Sequence, residues 1–123
     1  MDDREASGRF LLLVEEYRLA GWVGLGKLRD PGGGEVRRDL GLARHAIDTL
    51  GMLEVKTRGN RSDDEERLLR QVLADLRINF VDELKREEEE KAAAGAEAPG
   101  GEPAAVDGSP PPGGGPASGG AGG

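Results

Sequence analysis

Cysteine is absent from the 123 residues, so neither a disulfide nor a thiolate-held metal can staple this chain. Aromatics are scarce. Two Phe, one Tyr and one Trp leave no row of rings for stacking bases, and Tyr17 and Trp22 read as core or interface anchors. Nor is there a long uninterrupted apolar run. The stretch 10–28 is broken by Glu15, Glu16, Arg18 and Lys27, which excludes a membrane span. The first residues, Met1-Asp2-Asp3-Arg4-Glu5, lack the basic start of a secretory signal. The expected location is the cytoplasm.

Nor does a strong basic balance exist. The formal net charge is −7, and residues 1–86 hold 16 Lys/Arg against 17 Asp/Glu. The acidic excess begins at Glu87-Glu88-Glu89-Glu90. A nucleic-acid footprint needs a dense basic face. The nearest approach to one is Arg37, Arg38, Arg44, Lys56, Arg58 and Arg61, six cations against four carboxylates over residues 35–61.

Glycine and proline are present in quantity but unevenly placed. Residues 95–123 hold 11 of the 21 glycines and 6 of the 7 prolines, with no aromatic residue. Ordering backbone costs roughly 1–2 kcal/mol per residue, and this composition has little apolar surface to offset it. A disordered tail over 95–123 is expected, behind a helical domain at 1–94.

Within that domain three segments carry helical periodicity, and none shows strand alternation. The first spans about 5–23, where Phe10, Leu13/Val14, Tyr17 and Ala20/Gly21 recur every three or four residues. Its Phe10-Leu11-Leu12-Leu13-Val14 turn is apolar nearly all round, which demands burial on more than one side. Gly21, Gly24 and Gly26 permit bending or close backbone approach rather than marking a dinucleotide loop, since no strand precedes them. Asp30-Pro31-Gly32-Gly33-Gly34 is a loop. Asp39 caps a second helix over 40–56, which ends at the turn Thr57-Arg58-Gly59-Asn60. Ser62-Asp63-Asp64-Glu65 is a capping box that opens a third helix over 62–90. Its stripe is Leu69, Val72/Leu73, Leu76, Phe80 and Leu84, and past Leu84 the helix has nothing to bury and is expected to fray. The fold class is therefore all-α: a small three-helix domain, a helical hairpin plus an N-terminal helix.

The string Leu40-Gly41-Leu42-Ala43-Arg44-His45-Ala46-Ile47-Asp48-Thr49-Leu50, continued by Lys56-Thr57-Arg58-Gly59-Asn60, resembles the centre of the family called domain of unknown function 1844. Gly26-Lys27-Leu28-Arg29-Asp30-Pro31 before it is similar too, as are Glu65-Glu66-Arg67-Leu68-Leu69, Leu73-Ala74-Asp75-Leu76-Arg77 and Phe80-Val81 after it. The resemblance covers about residues 10–84. It implies a compact helical bacterial protein of unassigned function, with no catalytic residue to carry over. Arg61 departs from the pattern, standing where the family has an apolar residue before the helix cap.

No residue pattern here names a reaction. His45 has Asp48 one turn on but no nucleophile or second ligand beside it. The 63–66 carboxylates point in different directions and fit helix capping better than a calcium loop. No catalytic residue, cofactor or metal is expected, and no small-molecule substrate is evident. The leading expectation is a non-enzymatic interaction, scaffold or regulatory module that self-associates. Its candidate interface is Phe10, Leu13, Val14, Tyr17, Trp22, Leu73, Leu76, Phe80 and Leu84, and coiled-coil association is among the expectations. The alternative is a nucleic-acid accessory protein using the basic turn Lys56, Arg58 and Arg61.

Overall fold

The computed structural model describes residues 1–97, which form three helices and no strand. They are α1 (Asp3–Gly24), α2 (Leu40–Lys56) and α3 (Asp63–Glu97). The second matches the expected bounds. The third outlasts them, because its Lys-Arg-Glu-Glu-Glu-Glu-Lys-Ala-Ala-Ala end consists of strong helix formers and carries a Glu87–Lys91 i,i+4 pair at 3.7 Å. Residues 95–97 of the expected tail therefore belong to α3, and the rest of that tail lies outside the described residues. The chain divides into a compact unit, Met1–Lys85, and a second unit from Arg86 onward.

Each helix end is fixed by local chemistry. Asp2 caps α1 by accepting the Glu5 N–H at 2.8 Å. At the other end the Gly26 N–H donates to the Val23 carbonyl and the Lys27 N–H to the Trp22 carbonyl, both at 3.0 Å. This is a Schellman stop, and it places Gly26 at φ +76°, where a side chain would strain. Asp39 caps α2 through the Leu42 N–H at 3.2 Å. The capping box forms as expected: Glu65 N–H donates to Ser62 Oγ at 3.1 Å, and Ser62 N–H donates to Glu65 Oε1 at 2.8 Å.

The helices run up, down and up. Ser7 near the start of α1 and Glu65 near the start of α3 line one cleft, and Gly21 meets Leu76 about four turns further along α1, so α1 and α3 are parallel. The α2 helix returns between them, with its N-terminus against Gly24 and its C-terminus at the 57–62 turn. Val14, Leu25, Ala43, Leu50, Leu69, Val72, Leu73 and Leu76 make one buried cluster. Phe10, Tyr17, Trp22, Ile47, Leu53 and Phe80 pack around it, half-buried.

Two glycines set the spacing. A Cβ on Gly21 would stand 2.8 Å from Leu76 Cδ2, and one on Gly24 would stand 2.5 Å from the Ala43 backbone nitrogen and 2.9 Å from the Asp39 carbonyl oxygen. The Gly24 carbonyl also accepts the Asp39 N–H at 2.7 Å, so α1 ends on the very residue that caps α2. A leucine tip can move aside, whereas backbone cannot. Gly24→Ala is therefore expected to lower stability by about 2–3 kcal/mol, and Gly21→Ala by about 1. Gly8→Ala, which meets nothing within 4 Å, is expected to add about 0.5–1 kcal/mol. Urea denaturation of the three variants checks the order.

Candidate functional site

Where α1 starts and α2 turns into α3, a cleft of about 530 Å³ is lined by Asp3, Ser7 and Phe10 on one wall and Thr57, Gly59, Asn60, Arg61 and Glu65 on the other. The expected basic turn forms part of this wall. Its three cations have different fates. Lys56 and Arg58 are exposed. Arg61 is drawn inward until its side chain keeps 9% of its exposure. Its Nε donates to Glu66 Oε1 at 2.7 Å, while one terminal nitrogen donates to the Glu54 carbonyl at 2.8 Å and to Thr57 Oγ1 at 3.0 Å. The Glu54 carbonyl in the last turn of α2 and Glu66 in the first turn of α3 thus share one guanidinium, which performs the joining task that an apolar staple performs elsewhere.

Two carboxylates here are held below the ordinary glutamate range. For Glu65 the main cause is the Ser7 hydroxyl across the cleft, then the Ser62 backbone N–H. For Glu66 it is the hydrogen bond from Arg61.

The other concentration of charge lies at the far end of the same unit, and the sequence reading passed over it. Glu83 of α3 is 3% exposed, yet it is ionically paired with Lys27 Nζ at 2.9 Å and with Arg38 Nε at 3.1 Å. Both cations come from the connector between α1 and α2. They straddle the exposed Pro31-Gly32-Gly33-Gly34 turn and pin the base of that loop to α3. A signal was present: Glu83 lies seven residues after Leu76 and three after Phe80, on the apolar stripe itself. A carboxylate on a core stripe needs a partner.

The nine candidate interface residues separate. Val14, Leu73 and Leu76 are fully buried in this unit's own core, and Phe10, Tyr17, Trp22 and Phe80 pack half-buried around it. Leu13 and Leu84 are the two counted as exposed. The most exposed helical apolar side chains were not among the nine: Ile78 at 62% and Val81 at 61%, both on α3. They lie off the core stripe, so periodicity gave no reason to single them out. His45 is exposed, its ring edge-on to Tyr17 with centroids 6.3 Å apart. Among the described residues no group of three or more His, Cys, Asp or Glu is placed to hold a metal ion, and no helix is long and apolar enough to cross a membrane.

Two outcomes follow from these charges. Glu83→Gln removes the anion that Lys27 and Arg38 share and, because both cations keep access to water, should cost about 1–3 kcal/mol in chemical denaturation, with faster proteolytic cutting in the 29–37 loop. Because the folded-state pKa values of Glu65 and Glu66 are depressed, their contribution is fully present above the ordinary value of 4.5 and is lost as the pH falls below it. Thermal melts should drop over that acid window, and Glu65→Gln should flatten part of the drop.

No curated protein and no solved structure matches the chain. A family model does, over residues 8–82, a span that takes in α1 from Gly8, all of α2 and α3 as far as Asp82. That match takes in the Gly21/Gly24 contact, the connector and the Arg61 joint, and by it the chain belongs to the family Domain of unknown function (DUF1844).

Proposed function

We propose that this domain is a non-enzymatic protein–protein interaction module that self-associates and serves as a scaffold or regulator. The observation that carries the reading is on α3. One face of the helix already fills the core with Leu69, Val72, Leu73 and Leu76, and the opposite face still presents Ile78 and Val81 to solvent. Apolar side chains grouped in this way on a small domain are a docking feature rather than a folding one. The size of the unit agrees, since a chain this short buries a low fraction of its surface and gains from a partner. The nucleic-acid reading of Lys56, Arg58 and Arg61 has less support, because the guanidinium of Arg61 is engaged by Glu66, Glu54 and Thr57.

Sedimentation velocity on the full chain, from low micromolar to several hundred micromolar, tests the reading. A concentration-dependent rise to a dimer or larger species is expected. A monomer throughout that range would overturn self-association.

A further inference from the structure

The outward face of α3 has a pattern that neither its core stripe nor its exposure values alone reveal. Arg67, Gln71, Ala74, Ile78, Val81 and Lys85 follow one another at alternating spacings of four, three, four, three and four. That is the a/d rhythm of a coiled-coil seam, with Gln71, Ile78 and Lys85 at a and Arg67, Ala74 and Val81 at d. All six are exposed. On a helix whose core residue is Leu76, they occupy the side turned away from it.

The flanks of this seam are charged in opposite senses. Arg70 and Arg77 fall at g, Asp75 and Asp82 at e. In a parallel pair each g residue lies beside the e residue five positions later on the other helix. That rule sets Arg70 beside Asp75 and Arg77 beside Asp82 of a second copy, and two-fold symmetry doubles both pairs. An antiparallel pair with Ile78 over Val81 brings e against e instead, setting Asp75 against Asp82. The charges therefore choose both the occupant and its direction. Within one chain these groups have only loose commitments: Arg70 reaches Glu66 at 3.2 Å and Arg77 reaches Glu54 at 4.0 Å, both on the surface, where such pairs are worth little. Asp75 and Asp82 make no ion pair among the described residues. The exposed leucines of α1 offer no equivalent, since the charge there, Glu16, stands in the middle of the row between Leu12 and Leu19, whereas on α3 Arg67 and Lys85 stand only at the two ends.

We propose that the outward face of α3 is the self-association surface, and that it takes α3 of a second copy in parallel, with Ile78 and Val81 each against its own counterpart and Arg70–Asp75 and Arg77–Asp82 pairs bridging the flanks. This rests on the self-associating reading above and adds to it a surface and a direction. The apolar part of the seam, Ala74, Ile78 and Val81, spans little more than one heptad, shorter than the three or four a free coiled coil needs. The folded domain supplies what is missing by holding α3 preformed, and the dimer is correspondingly weak and concentration-dependent.

The chain has no cysteine, so a single introduced thiol reports geometry directly. In the full chain, Ile78→Cys and Val81→Cys should each give a covalent dimer under mild oxidation, whereas Leu12→Cys, similarly exposed on α1, should not. Ile78→Asp with Val81→Asp should raise the dissociation constant at least about tenfold while leaving the helical circular dichroism of the monomer unchanged, since neither side chain is buried. Arg77→Glu should weaken the dimer, and adding Asp82→Arg should restore it, an outcome only the parallel arrangement provides. A dimer that ignores the Asp substitutions and does not cross-link at 78 or 81 would overturn this surface and leave self-association standing. Cross-linking only between mixed Ile78→Cys and Val81→Cys chains would overturn the parallel direction. A monomer at every concentration, with no cross-link, would remove both.

Discussion

The clearance between helices at Gly24 is the constraint on which the rest of this small domain depends. With no side chain at that position, the last turn of α1 comes within van der Waals distance of the Ala43 backbone and gives its carbonyl to the N–H of Asp39, the residue that caps α2. Helix termination, helix initiation and helix packing thus occur at one point. Gly21, one turn earlier, lets Leu76 lie directly against the α1 backbone, so all three helices approach closely enough for a core of modest side chains to fill. Apart from five leucines, that core consists of Val14, Val72, Ala43 and Ala46. At wider spacing those small residues could not close it.

Charge does the remaining work at the two ends of the compact unit. At one end Arg61 binds the close of α2 to the opening of α3, and the Ser7–Glu65 contact joins α1 to the same place. At the other, Glu83 holds both limbs of the long connector through Lys27 and Arg38. The two sites differ in kind. The Arg61 guanidinium satisfies the Glu54 carbonyl near the end of α2, whereas Glu83 is a carboxylate brought into the protein and stabilised there by its cations. Breaking the second leaves a buried charge poorly matched, which is the costlier loss. The connector's shape is consequently tied to α3, although its Gly-rich tip carries no such restraint.

How much of this was legible in the sequence depends on whether the signal was local. The caps at Asp39 and Ser62, the stop at Gly59 and the loop at Pro31 are short-range chemistry, and all appear where residue spacing put them. Close packing at Gly21 and Gly24 was legible as a possibility because glycine clustering in a helix has few other uses, but the partners, Leu76 and Ala43, come from elsewhere in the chain. Arg61 read as a surface cation because its neighbours in sequence are polar. Its contacts with Glu54 and Glu66 exist only once two helix ends are folded back together. Glu83 was the clearer omission: its position on the Leu76–Phe80 stripe was visible, while the cations that make it tolerable lie more than forty residues away. The same limit applies to the candidate interface residues. Amphipathic reasoning ranks residues by their fit to the core face, so it selected Val14, Leu73 and Leu76, which fold inward, and gave no reason to single out Ile78 and Val81, which stay exposed.

That last contrast bears on what the domain is for. A helix serving only the core of its own chain has no use for β-branched apolar residues on its solvent side, since they add nothing to packing and are poorer helix formers than the Lys, Glu or Arg around them. Where α3 has only a helix to maintain, from Lys85 to Ala94, it uses just those residues and alanine. Ile78 and Val81 interrupt that economy in the part of α3 that is backed by the core and held by Glu83, which is where a docking surface would be most rigid. The close three-helix packing at one face of α3 and the exposed apolar residues on the other are two aspects of one arrangement: the core holds one side of α3 in place, and Ile78 and Val81 stand on the side it leaves open.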